Sequence, residues 1–142
     1  MSSPARANGT RQQRFVPWLM YADAARAIDF LCRAFGFEEG SRYATPDGKV
    51  LHAKVTYGGD EIWLASPTPG SDFGDSPLAL PAVHGQTVCF VDDVDGHMRH
   101  AKEAGATIVA EPADEHGMRF YRAMDVEGHR WIFARYTSES GS

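Results

Sequence analysis

The chain has 142 residues, with 43% apolar and 23% charged side chains, a net charge of −5 and a pI near 5.6. That is enough chain to bury a core without staples, in the mix of an ordinary globular protein. The acidic balance excludes a nucleic-acid partner, which needs a basic stripe to displace counterions, and an anionic membrane surface. No run of eighteen apolar residues offers a transmembrane span.

Residues 1–13 are polar, lack the apolar stretch of a secretory signal, and read as a disordered tail. Residues 14–21 (RFVPWLMY) read as a strand. Asp23 is a candidate N-cap, and Ala24, Ala27, Ile28, Leu31 and Phe35 follow at helical spacing until Gly36 stops the pattern. Residues 37–44, 49–57 and 61–65 read as three further strands, joined by turns at Pro46-Asp47-Gly48 and Gly58-Gly59-Asp60. The stretch from 66 to 84 is dense in Pro, Gly and Ser and reads as linker.

The same order then recurs. Residues 86–92 read as a strand, and Asp93 caps a helix carrying Val94, Met98, Ala101 and Ala104 that Gly105 stops. Residues 106–111, 118–124 and 129–136 are strands, with a turn at 125–128. Asp23 maps to Asp93 at an offset of 70, and Gly36 to Gly105 at 69. A cap, a helix, a stop and three strands recurring at one offset describe a duplicated βαβββ unit. The expected organisation is tail 1–13, module 14–66, linker 67–84, module 85–137 and tail 138–142. In each module the helix covers one sheet face, so the other must meet a second sheet or a ligand. Two modules closing on each other would enclose a cleft.

Strand alternation gives that cleft a composition. Leu51, Ala53, Val55 and Tyr57 are expected on the helix side. Val16, Trp18, Met20, His52, Lys54, Thr56, Glu61, Trp63, Ala65, Gln86, Val88, Phe90, Ile132 and Ala134 are expected on the cleft side, with Arg119 and Tyr121 as candidates from residues 118–124. Among these, Trp18, Met20, His52, Lys54, Trp63, Gln86, Phe90, Arg119, Tyr121 and Ile132 are the expected ligand-binding residues. Such a surface suits a flat, partly apolar small molecule. Lys54 and Glu61 can also form a cross-strand pair. His129 is expected to stabilise its turn, and His97, His100 and His116 to be solvated. Cys32 and Cys89 show no metal-binding spacing and read as buried free thiols of a cytoplasmic protein.

The segments VPWLMYADAARAIDFLCRAFGFEE, GKVLHAKVTYGGDEIWL, TVCFVDDVDGHMRHAKEAGATIVAEPAD and FYRAMDVEGHRWIFA resemble the vicinal-oxygen-chelate superfamily of glyoxalases, bleomycin-resistance proteins and extradiol dioxygenases. Asp125, Gly128, His129 and Trp131 in the last hairpin resemble its PhnB-like subgroup. The resemblance spans residues 14–136 and implies an α+β fold of two tandem βαβββ modules with cupped mixed sheets around a cleft. It also implies a homodimer, swapped or unswapped. Metal-dependent members take ligands from the first and last strands of each module, positions that fall here on Val16, Trp63, Gln86 and Ile132. A one-residue slip offers Glu61 or Ile62, Thr87, and Arg130 or Trp131. Neither set assembles a metal site. The expectation is therefore a metal-independent binder of an antibiotic or metabolite, without cofactor. The alternatives are a metal-free isomerase or lyase with His52 as general base and Lys54 or Arg119 steadying an oxyanion, and a metal-dependent glyoxalase or dioxygenase.

Overall fold

A computed structural model describes residues 12–67 and 74–137 of the chain. The elements run β1 (Trp18–Met20), α1 (Ala24–Phe35), β2 (Glu38–Ala44), β3 (Val50–Tyr57), β4 (Asp60–Ala65), a 3-10 turn (Pro77–Ala79), β5 (Gln86–Phe90), α2 (Val94–Glu103), β6 (Thr107–Glu115), β7 (Met118–Met124) and β8 (Arg130–Tyr136). The strands form two four-stranded mixed sheets, ordered β1-β4-β3-β2 and β5-β8-β7-β6. In each, the first strand pairs parallel to the last and the other pairings are antiparallel. This is the α+β arrangement that the repeat implies. The tail residues 1–11 and 138–142 and the linker residues 68–73 lie outside the described residues.

Both helices start and stop for visible reasons. The Asp23 carboxylate accepts the Arg26 backbone N–H at 3.1 Å, and Asp93 accepts that of Gly96 at 3.0 Å, each satisfying a donor with no partner inside the helix. Gly36 ends α1 at φ 82°, a left-handed conformation that costs a β-carbon-bearing residue energy.

The core lies on the helix side of both sheets and is continuous between modules. Phe35 of α1 packs on Trp131 and Phe133 of the second sheet at ring distances of 5.7 and 4.8 Å, and Phe37 packs on Trp131 at 5.4 Å. Ala53, Val55 and Leu64 close it from the first sheet.

Four local features depart from the sequence pattern. The first strand is three residues long where residues 14–21 are expected. Pro17 has no N–H to give, although its carbonyl accepts from the Trp63 N–H at 2.9 Å. The strand expected at 86–92 ends at Phe90, ahead of the Asp93 cap. β6 runs on to Glu115 through Pro112, which an edge strand tolerates because one row of its backbone groups is unpaired. Leu51 is exposed and Val50 buried, the reverse of simple alternation. Between the pairs Tyr43–His52 and Ala44–Val50 the register shifts, so a bulge at Leu51 turns it outward.

Candidate functional site

The pairing register fixes which side chains share the helix-free face of each sheet. On the first sheet, Lys54 lies beside Trp63 and Trp63 beside Trp18; in the next row His52 lies beside Ala65 and Ala65 beside Met20. Trp18, Trp63 and His52 form an aromatic cluster, with Trp18 to Trp63 at 5.9 Å, Trp18 to His52 at 5.7 Å and His52 to Trp63 at 5.4 Å between ring centres, all edge-on. Tyr43 extends it from β2, 6.2 Å from His52. The Lys54 ammonium sits 5.2 Å from the centre of the Trp63 ring and 3.9 Å from a Glu61 oxygen, and the Trp63 indole N–H donates to the same Glu61 carboxylate at 2.9 Å. This is the expected cross-strand pair, with the indole as a third member. Burial and the neighbouring Lys54 charge hold the His52 imidazole below its ordinary pKa, so it is neutral at pH 7.

On the second sheet the equivalent face carries Gln86, Val88 and Phe90 of β5 beside Arg130, Ile132 and Ala134 of β8. Phe90 stacks on Tyr136 at 5.0 Å. The two faces are not sealed within one chain: Trp18, Val88 and Phe90 remain 46%, 49% and 48% exposed. A groove of ≈ 330 Å³ runs between the modules, bounded by Phe15, Pro17 and Glu61 on one side and Thr87, Val88 and Phe90 on the other. A second, of ≈ 320 Å³, lies by Leu19, Pro77, Gln86, His129 and Arg130. Gln13, at the end of the expected tail, is tied across the first groove's wall. Its side chain accepts from the Glu61 N–H at 2.6 Å and donates to the Glu61 carbonyl at 3.0 Å.

Most of the residues expected on the cleft side lie on these faces, though Met20 and Ala65 are buried there, Met20 against Gly74. Arg119 and Tyr121 lie on the other face. Tyr121 is fully buried, stacked on Phe133 at 5.4 Å, with its hydroxyl on His97. Arg119 reaches α2 instead, where it pairs with Asp95 at 2.9 Å, and it also pairs with Asp114 at 3.0 Å. Side chains alternate along β7, so the open face takes Phe120 and Arg122, which the sequence reading did not select. The pairing of Tyr121 and Ala123 with Phe133 and Trp131 turns those two inward, and alternation alone does not fix that choice.

His100 and His116 are exposed as expected, but His97 and His129 differ from expectation. His97 is not solvated. It is wedged between the helices and the second sheet, donating from Nε2 to the Phe35 carbonyl at 2.9 Å and accepting the Tyr121 hydroxyl at Nδ1 at 2.7 Å. His100 donates to the Arg33 carbonyl at 2.9 Å. His129 ties more than its turn: its Nε2 donates to the Met20 carbonyl at 2.8 Å and its ring packs on Tyr21 at 4.6 Å, joining the modules. Cys32 and Cys89 are free but only partly buried, and burial pushes the Cys89 thiol up to about 12.

A metal is not matched by this donor set. Trp63 and Ile132 are carbon-faced, Val16 precedes β1, and Gln86 alone offers a neutral oxygen. Among the described residues no three His, Cys, Asp or Glu side chains converge.

The Glyoxalase/Bleomycin resistance protein/Dioxygenase superfamily model matches residues 12–133. Uncharacterized proteins of Mycobacterium bovis and Mycobacterium tuberculosis are 36% identical over 126 residues, covering 87% of this chain and 83% and 74% of theirs. The crystal structure of TioX from a Micromonospora species is 31% identical with a TM-score of 0.68, over 88% of this chain and 97% of that one. A glyoxalase/bleomycin resistance protein/dioxygenase from Nocardioides, at 16% identity, shares the fold with a TM-score of 0.60 over 92% of this chain and 88% of its own.

Proposed function

The chain belongs to the glyoxalase/bleomycin resistance protein/dioxygenase superfamily, and from that premise we propose that it is a metal-independent binder of a flat small molecule, an antibiotic or a metabolite. One observation carries the reading. Trp18, Trp63, His52 and Tyr43 gather on an uncovered sheet face, and Trp63 stands at one of the positions from which metal-dependent members would supply a ligand. A planar guest laid against this cluster gains ring contacts worth ~1 kcal/mol each beyond the area they bury. The Asp125-x-x-Gly128-His129-x-Trp131 hairpin supports placement in the PhnB-like subgroup, and the two free thiols support a cytoplasmic location. The open faces support a homodimer, with the sheet of one protomer completing the cleft of its partner.

Titrating planar antibiotics and metabolites against intrinsic tryptophan fluorescence tests the binding role. Trp63→Ala weakens each confirmed ligand by about fivefold, the factor that ~1 kcal/mol implies. Unchanged affinities for every confirmed ligand would sink the assignment of the face.

A second reading has one specific observation behind it. A neutral His52 beside an ammonium is suited to accept a proton while Lys54 steadies the resulting charge. It predicts that some bound ligand is converted over time, as followed by mass spectrometry, and that His52→Gln abolishes conversion while binding survives. Conversion unaffected by that change would remove His52 as the base.

A further inference from the structure

Arg122 stands at the centre of the open face of the second sheet. It pairs with Ile132, and Ile132 with Val88; one row away Phe120 pairs with Ala134, and Ala134 with Phe90. Phe90 is stacked in turn on Tyr136. Arg122 is thus partly buried among apolar side chains. It makes no hydrogen bond or ion pair among the described residues, whereas Arg33, Arg42, Arg119 and Arg130 each have an acceptor. Its five N–H donors are therefore not committed to any described side chain or carbonyl and stand available to an oxyanion.

The repeat gives this placement a counterpart. Lys54, Trp63 and Trp18 form one row of the first sheet, and Arg122, Ile132 and Val88 lie 68, 69 and 70 residues further on in the same relation. Each open face thus sets a cation at the same register position beside apolar side chains: Lys54, paired with Glu61, on the first sheet and Arg122, on a face that also carries Arg130, on the second. On the second face Arg122 and Arg130 set the local charge against the molecule's net −5, which favours anionic guests.

We infer that the open face of the second sheet binds an aromatic acid. Arg122 grips the carboxylate with two parallel N–H donors, and the ring lies over Ile132, Val88 and Phe90. This rests on the small-molecule reading above and narrows it to a ligand class.

Calorimetric titration with matched carboxylates and carboxamides of naphthalene and anthracene tests it, because each pair differs in charge and hardly in shape. The acids bind at least tenfold more tightly than the amides. Arg122→Gln brings acid and amide within twofold of each other while leaving amide affinity within twofold. Arg122→Lys, which keeps the charge and loses the fork, retains part of the preference. Arg119→Gln, which removes a guanidinium from the other face, retains all of it. Equal binding of acid and amide by the unaltered protein, or a preference that survives Arg122→Gln, overturns the inference. If the amides bind and Trp63→Ala weakens them but no acid preference exists, this inference fails and the small-molecule reading stands. If neither series binds, both fail.

Discussion

Two carboxylates with almost no exposure hold the modules together. Asp125 accepts the Tyr21 hydroxyl at 2.5 Å, the Trp131 indole N–H at 3.0 Å and the backbone N–H groups of Glu127 and His129. Glu127, 2% exposed, accepts the N–H groups of Ala22 and Asp23 at 2.7 and 2.8 Å and the Ser76 hydroxyl. Buried charge of this kind persists where its lone pairs are met by donors. The turn of the second module thereby anchors the start of the helix of the first. His97, bonded at the far end of the first helix, has the opposite problem, a base kept neutral by burial. Its folded pKa lies below the ordinary 6.5, so the unfolded chain binds the extra proton more readily. The stabilisation is complete above about pH 6.5 and is lost as pH falls from there toward the lowered folded value. Urea unfolding at pH 7.5 and 5.5 shows this as a lower midpoint at 5.5, and His97→Gln narrows the difference between the two. An identical pH difference in that variant would assign the effect elsewhere.

At the scale of elements, the sequence was most legible where one residue has one local job. Asp23, Gly36 and Asp93 mark helix ends that the structure places where the pattern put them, since a cap acts through backbone groups two or three positions away. Asp93→Ala accordingly costs about 1 kcal/mol in chemical denaturation, and Asp93→Asn much less; equal losses in the two would mean that the side chain acts by charge and not by capping. Less legible were features that depend on pairing between strands. The bulge at Leu51 and the orientation of Arg119 and Tyr121 follow from register, which period-two alternation leaves undetermined by one residue. The buried place of His97 is hidden from the sequence for a related reason. Its place on the helix was readable, but not that a second helix and a tyrosine from β7 would close over it.

The whole molecule is organised by what its helices cover and what they leave bare. Covering one face of each sheet creates the shared core, and the uncovered faces keep Trp18, Val88 and Phe90 near half exposure. Apolar surface of that kind, contiguous over a sheet, is uncommon on a monomer. The proposed homodimer resolves it, and light scattering coupled to gel filtration at micromolar protein shows a single species at about twice the 15.6 kDa chain mass. A species at the chain mass itself would contradict the dimer.

The central claim, that the open aromatic face is where a ligand sits, is tested most directly by the three indole N–H signals in a nitrogen–proton correlation spectrum. Trp18 and Trp63 lie on the open face, whereas Trp131 is buried with its N–H on Asp125 and serves as an internal reference. Adding a confirmed ligand moves the Trp18 and Trp63 signals and leaves that of Trp131 in place. A ligand that binds and shifts Trp131 alone, or none of the three, would contradict the account.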